Sequence, residues 1–292
     1  MTAAAPRLLD SLAEIAGDYD ALFCDLWGCL HDGVRAYPAA VEALRGFRAA
    51  GGVVVLMTNA PRPRGSVIRQ LDRLQVPEDC WDRVVSSGDA ALASVRRGEW
   101  GRKVVHIGDP KRDEPFFEDA GVERVSDPAD ADSVVVTGLR DDHAETPEDY
   151  RDELRTLQLR RLPMLSANPD VHVDVGPRRV FCAGALAVAY EAIGGETRAY
   201  GKPHPPIYDI GRREAEAALG RPLDDDRILC LGDGVLTDVK GAVAEGLDCV
   251  FVTGGLAAER LGADPESPDP ERLAEYLAEH RLSPRYAIGR LR

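Results

Sequence analysis

Residues 21–33 read ALFCDLWGCLHDG, and the fold turns on where this stretch is placed. An apolar run, ALFC, ends in a carboxylate, Asp25, and a glycine, Gly28, follows three residues later. That is the profile of a buried strand that stops at a turn with a polar group at its carboxyl end. The profile recurs: Thr58 and Asn59 follow VVVLM, Lys202 follows TRAYG, and Asp233 follows RILCLG. In an open parallel sheet, ligands bind outside the carboxyl ends of the strands, so residues far apart in sequence converge there. Between the β-branched runs VVVLMT, KVVHI, SVVVT, RILCLG and CVFVT lie segments of helical spacing. YPAAVEALRGFRAAG and PPIYDIGRREAEAALG are two of them, each closed by glycine. The expected fold is α/β, a doubly wound Rossmann-like parallel sheet.

More than a hundred residues separate Thr58 from Lys202, too many for the connections of a minimal sheet. KVVHIGD, SVVVTGL, TPEDYRDELRTLQLR and PMLSANPDVHVDV form an alternation of their own. We therefore expect an inserted α/β cap domain over residues 88–176, with the core built from 1–87 and 177–292, and the cap acting as a lid that excludes water. The 292 residues carry 50 acidic and 36 basic side chains, a formal net charge of -14. Such a balance argues against nucleic acid or an anionic membrane surface as partner. No apolar run approaches the roughly 20 residues of a transmembrane helix, and the N-terminus lacks a basic segment followed by an apolar core. The chain reads as soluble and cytoplasmic. Its six dispersed cysteines, with no Cys-x-x-Cys pair, read as buried reduced thiols.

A carboxylate nucleophile, carboxylates able to hold a metal, a hydroxyl, an amide and a lysine make a set suited to phosphoryl transfer. An anionic phosphoryl group needs cationic and hydrogen-bonding neighbours before another anion can attack it. Mg2+ is the natural bridge, since it prefers oxygen ligands in octahedral geometry. Asp233 and Asp238, five apart across a glycine turn in LGDGVLTDVKGA, suit a direct ligand and a residue that orients the metal's waters.

DLWGCLHDG, LMTNAP, YGKPHPPIY and CLGDGVLTDVKGA, in that order, resemble the four motifs of the haloacid dehalogenase superfamily of aspartate-nucleophile enzymes. The place of the insert, SANPD near its end and VFCAGALAVAYEAIGG after it are similar to the branch of nucleotide, sugar-phosphate, pyridoxal-phosphate and p-nitrophenyl-phosphate phosphatases. The resemblance spans roughly residues 20 to 255. It implies that Asp25 attacks phosphorus, that Thr58 and the Asn59 region bind phosphoryl oxygens, and that Lys202 neutralises charge between nucleophile and phosphate. It also implies that Asp25, the main-chain carbonyl of Trp27 and Asp233 hold Mg2+, with Asp238 in support. The substrate implied is a small phosphorylated metabolite, and caps of this branch often pair, which raises a homodimer through the cap.

Trp27 departs from the pattern, because phosphatases of the family typically carry a second aspartate there as general acid and base. General acid/base help is worth roughly 10²- to 10⁴-fold in rate, so its loss slows hydrolysis without necessarily abolishing it. A leaving group that needs no proton is one way round the loss, and a substitute donor, His31 or Asp32, is another. Competing readings are a phosphometabolite-binding protein that has lost turnover and, from the aromatic residue at this position, a carbon-halogen hydrolase that uses no metal. Asn168 and Asp170 in ANPD read as a turn returning the chain from insert to core.

Overall fold

A computed structural model describes residues 5–118, 120–175 and 178–292. Among them the strands are, in chain order, β1 (Arg7–Leu8), β2 (Ala21–Cys24), β3 (Val53–Thr58), β4 (Arg83–Ser86), β5 (Lys103–Ile107), β6 (Glu123–Arg124), β7 (Ser133–Val136), β8 (Met164–Ser166), β9 (His172–Val175), β10 (Arg178–Phe181), β11 (Thr197–Ala199), β12 (Ile228–Gly232), β13 (Asp248–Val252) and β14 (Tyr286–Ile288). The chain forms two compact units. One takes the N-terminal segment through Thr58 with Arg69–Val85 and Tyr208–Arg292; the other takes Asn59–Ile68 and Ser86–Ile207. No helix among the described residues is long and apolar enough to cross a membrane.

The first unit is built on a seven-stranded sheet in the order β1-β14-β13-β12-β2-β3-β4. The pairings from β1 across to β3 are all parallel. Every residue of β2, β3 and β12 is buried, which is why they are unbroken apolar runs rather than alternating ones. Leu231 pairs with Cys24 and Cys24 with Leu56, so β12, β2 and β3 end within a residue or two of one another. The chain beyond Leu256 supplies β14, inserted between β1 and β13. Both β1 and β14 are too short to show a period in the sequence.

The second unit has its own parallel sheet, β11-β8-β7-β5-β6, and an antiparallel hairpin of β9 and β10. Its core joins Ile107, Val134, Val136 and Met164 to Leu154 and Leu157 of the helix Arg151–Leu159 and to Leu186 and Tyr190 of the helix Ala183–Ala192. The last pair corrects the expected organisation. The boundary placed between residues 176 and 177 lies outside the described residues, but beyond it 178–207 remain with the second unit. Two contacts hold them there: Leu186 and Tyr190 are fully buried in that core, and β11 pairs with β8. ANPD therefore does not mark a return to the first unit.

At the carboxyl ends of β5 and β7 a polar cluster closes the second unit. Asp113, 1% exposed, accepts from Thr137 Oγ1 at 2.6 Å and from Arg112 Nε at 3.4 Å, and Thr137 Oγ1 lies 2.8 Å from His106 Nε2. Burial pushes the Asp113 carboxyl up, but His106, Thr137 and Arg112 together outweigh it and hold it below the usual range.

Candidate active site

Asp25 sits one residue past β2, its N–H donating to Leu231 O of β12 at 2.8 Å. Asp233 sits one residue past β12 and is buried. The chain after Asp25 turns at Gly28, whose φ is +73°, and a Cβ there would stand 2.0 Å from Asp233 Oδ2. Only glycine lets the loop lie against that carboxylate. Asp233 Oδ2 also accepts the Leu256 N–H at 2.9 Å. One donor atom each from Asp25, Cys29 and Asp233 lie within 4.8 Å of one another. Two carboxylates this close in a buried setting repel unless a cation balances them, so the carboxylate pair fits a hard divalent ion. Cys29 was absent from the expected set, because a cysteine in an apolar-looking WGCL run gives no sign that it faces carboxylates. Burial, then Asp233 and Asp25, raise its thiol pKa well above the ordinary value.

Asp238 lies near enough to the trio for its charge to act on the Cys29 thiol. The turn Val235–Val239 is one residue wider than an α-turn, with Val239 N–H donating to Gly234 O. That width folds the Asp238 carboxylate back, where Oδ2 accepts from Gly234 N at 3.2 Å and Thr237 Oγ1 at 3.2 Å. Asp238 thus braces the loop that carries Asp233. Thr58 ends β3 and is buried.

The loop after Asp25 closes on itself through Leu30 N to Leu26 O, His31 N to Leu26 O and Gly28 N to His31 O. Trp27 is part of that closure. Gly33 has φ +81°, and a Cβ on it would meet Trp27 Cη2 at 2.1 Å, so the indole lies on the glycine. His31 stands edge-on to the indole at 5.3 Å. Burial lowers the His31 pKa to about 4, leaving a neutral ring whose Nδ1 accepts the Gly33 N–H at 3.1 Å. Burial pushes Asp32 up, but main-chain N–H groups of Arg35 and Val34 and the Arg35 guanidinium prevail and keep it ionised.

Asn59 and Lys202 belong to the second unit, and both are buried. The Asn59 side chain faces the Lys202 main chain. Its Oδ1 accepts the Lys202 N–H at 2.7 Å, and its Nδ2 donates to Lys202 O at 3.1 Å and to Asp170 Oδ1 at 2.8 Å. The two Nδ2 hydrogens of Asn59 are thus both engaged within the protein.

A family profile described as haloacid dehalogenase-like hydrolase matches residues 22–123, and a HAD-hydrolase-like profile matches 199–280. A hydrolase of the haloacid dehalogenase-like family from Brucella suis 1330 is 41% identical, with a TM-score of 0.85, over 98% of this chain and 100% of that one. The chain belongs to the haloacid dehalogenase-like hydrolases. Ribonucleotide monophosphatase NagD of Escherichia coli K12 is 26% identical over 242 residues, 81% of this chain and 88% of NagD. A glycerol phosphate phosphatase from Mycobacterium tuberculosis, solved with magnesium, shares the fold at a TM-score of 0.63 and 23% identity, over 90% of this chain and 78% of its own. Among haloacid dehalogenase-like hydrolases this chain lies in the NagD-like branch. Its first unit carries Asp25, Trp27, Cys29, Thr58, Asp233 and Asp238, and its second carries Asn59 and Lys202.

Proposed function

We propose that the protein is a Mg2+-dependent phosphatase of small phosphorylated metabolites, working in the cytoplasm through a phosphoryl group carried on Asp25. The observation that carries this reading is the convergence of the buried Asp25 and Asp233 carboxylates at the ends of adjacent parallel strands. Binding alone has no use for a nucleophilic anion facing an anionic ligand. The paired carboxylates favour a bound hard cation over metal-free carbon-halogen hydrolysis.

Asp25, the Trp27 carbonyl and Asp233 would hold the ion, and Asp238 keeps the Asp233 loop in place. The ion supplies positive charge that offsets the approach of one anion to another. An Asp25 carboxylate oxygen attacks phosphorus as the bond to the leaving oxygen breaks; water then cleaves the acyl phosphate, releasing phosphate and restoring Asp25. Thr58 donates a hydrogen bond to the phosphoryl group, and Lys202 neutralises its charge. With Trp27 locked on Gly33, His31 an uncharged ring and Asp32 ionised, the loop offers no strong acid to the leaving oxygen, so substrates are those with good leaving groups.

The test is phosphate release from aryl, acyl and alkyl phosphates, with Mg2+ or a chelator, by the parent and by Asp25→Asn and Trp27→Asp. Expected are release from aryl and acyl phosphates only, none with chelator or Asp25→Asn, and extension to alkyl phosphates in Trp27→Asp. That extension should fall within the roughly 10²- to 10⁴-fold that general acid catalysis supplies. The seat of Trp27 favours a second reading, a binding protein for a phosphorylated metabolite; a parent that binds Mg2+ and phosphate analogues but releases no phosphate would establish it instead.

A further inference from the structure

The carboxamide of Asn59 makes three hydrogen bonds, and their identities fix its orientation. A main-chain N–H must meet an acceptor and a main-chain carbonyl a donor, so Oδ1 faces Lys202 N and Nδ2 faces Lys202 O. The second Nδ2 hydrogen goes to Asp170 Oδ1. Asp170 is itself fixed: its N–H donates to Asn168 Oδ1 at 2.9 Å, and its carbonyl accepts the Gly184 N–H at 3.1 Å in the first turn of the helix Ala183–Ala192. The residue before the lysine must be glycine, since a Cβ on Gly201 would lie 2.4 Å from Asn59 Oδ1 and 2.7 Å from Ser87 Oγ. The Lys202 peptide is therefore gripped on its N–H and C=O sides by one side chain, which is tethered through Asp170 to a helix in the core of the second unit.

We propose that Asn59 and Asp170 are positioning residues for Lys202: Asn59 sets the lysine's main chain, and Asp170 holds Asn59 in the orientation that does so. This rests on the reading above in which Lys202 serves the phosphoryl group. A lysine has four rotatable carbons and a point charge, so the place of its ammonium depends on where its backbone is anchored. Displacement of a reacting group by about 1 Å costs on the order of 10²-fold in rate.

A double-mutant cycle in kcat/KM with a p-nitrophenyl phosphate substrate tests this, using Asn59→Ala, Lys202→Ala and both together. Residues acting through one another are non-additive. Asn59→Ala alone should cost at least about tenfold and, added to Lys202→Ala, less than about twofold. Full additivity overturns the proposal, because it means Asn59 acts on the substrate independently of the lysine. Amide hydrogen exchange gives a readout without turnover: Asn59→Ala should speed exchange at the Lys202 amide while β7 and β8 stay protected, and unchanged exchange at Lys202 overturns it. Asp170→Asn retains an acceptor for Asn59 Nδ2 and should keep kcat/KM within a few-fold, whereas Asp170→Ala should lose about tenfold; equal losses count against the proposal. The Asp170 pair also carries the test if Asn59→Ala does not fold. If Lys202→Ala leaves kcat/KM unchanged, the phosphatase reading fails, and the exchange measurement decides the clamp separately.

Discussion

Gly33 bears the indole of Trp27 on its α-carbon while holding a left-handed backbone angle, so two independent penalties meet at one residue. Gly33→Ala should lower stability by about 1–3 kcal/mol from the backbone alone, with a further cost from displacing the indole, measured as a drop in the urea midpoint. Cys29 makes a second residue-scale prediction. Its thiol beside two carboxylates gives a donor set with a soft member, and soft ligands favour Zn2+ over Mg2+. Cys29→Ser should weaken Zn2+ binding relative to Mg2+ by at least about tenfold, read by calorimetry with each ion; an unchanged ratio would mean the thiol stays out of the coordination sphere. Asp25 and Asp233 were legible in the sequence because each follows an apolar run directly. The facing of Cys29 was not, since period-based reading assigns a residue to a strand or loop and says nothing of which loop side chains meet.

The helix Ala183–Ala192 decides an organisation that sequence reading drew differently. It is apolar nearly all round, with Leu186 and Tyr190 fully buried, and such a helix marks burial without naming the sheet it is buried against. Leu186→Ala should cost about 2–5 kcal/mol and, in hydrogen exchange, should loosen β7 and β8 before β2 and β12. The reverse order would place the helix with the first unit. The long parallel strands were legible because strands buried on both faces must be continuous apolar runs; β1, β11 and β14, two or three residues each, gain their strand character only from the partners beside them.

At the scale of the molecule, acid acts through two opposed effects. A net charge of -14 means that the first protons bound relieve self-repulsion, but buried carboxylates with depressed pKa values lose their partners' support as they protonate. Asp113 is such a group: its folded pKa lies below the unfolded value, so its contribution is complete above the ordinary carboxylate range and is lost as pH falls through the folded value. Asp113→Asn should therefore be less stable at neutral pH, by about 3 kcal/mol as for a broken buried ion pair, and its stability should fall less steeply than the parent's below about pH 4. An equal slope in parent and variant would remove Asp113 from the account. The sequence by itself determined the α/β class, the order of the main strands and the carboxylates at their ends, because burial on both faces and turns after strands are local demands written in local composition. Only the tertiary structure decided what Asn59 holds, what Cys29 faces, where Trp27 rests and which unit owns residues 178–207. Those outcomes rest on contacts such as Asn59 to Lys202, 143 residues apart, where the energy lies in geometry that neither segment encodes alone.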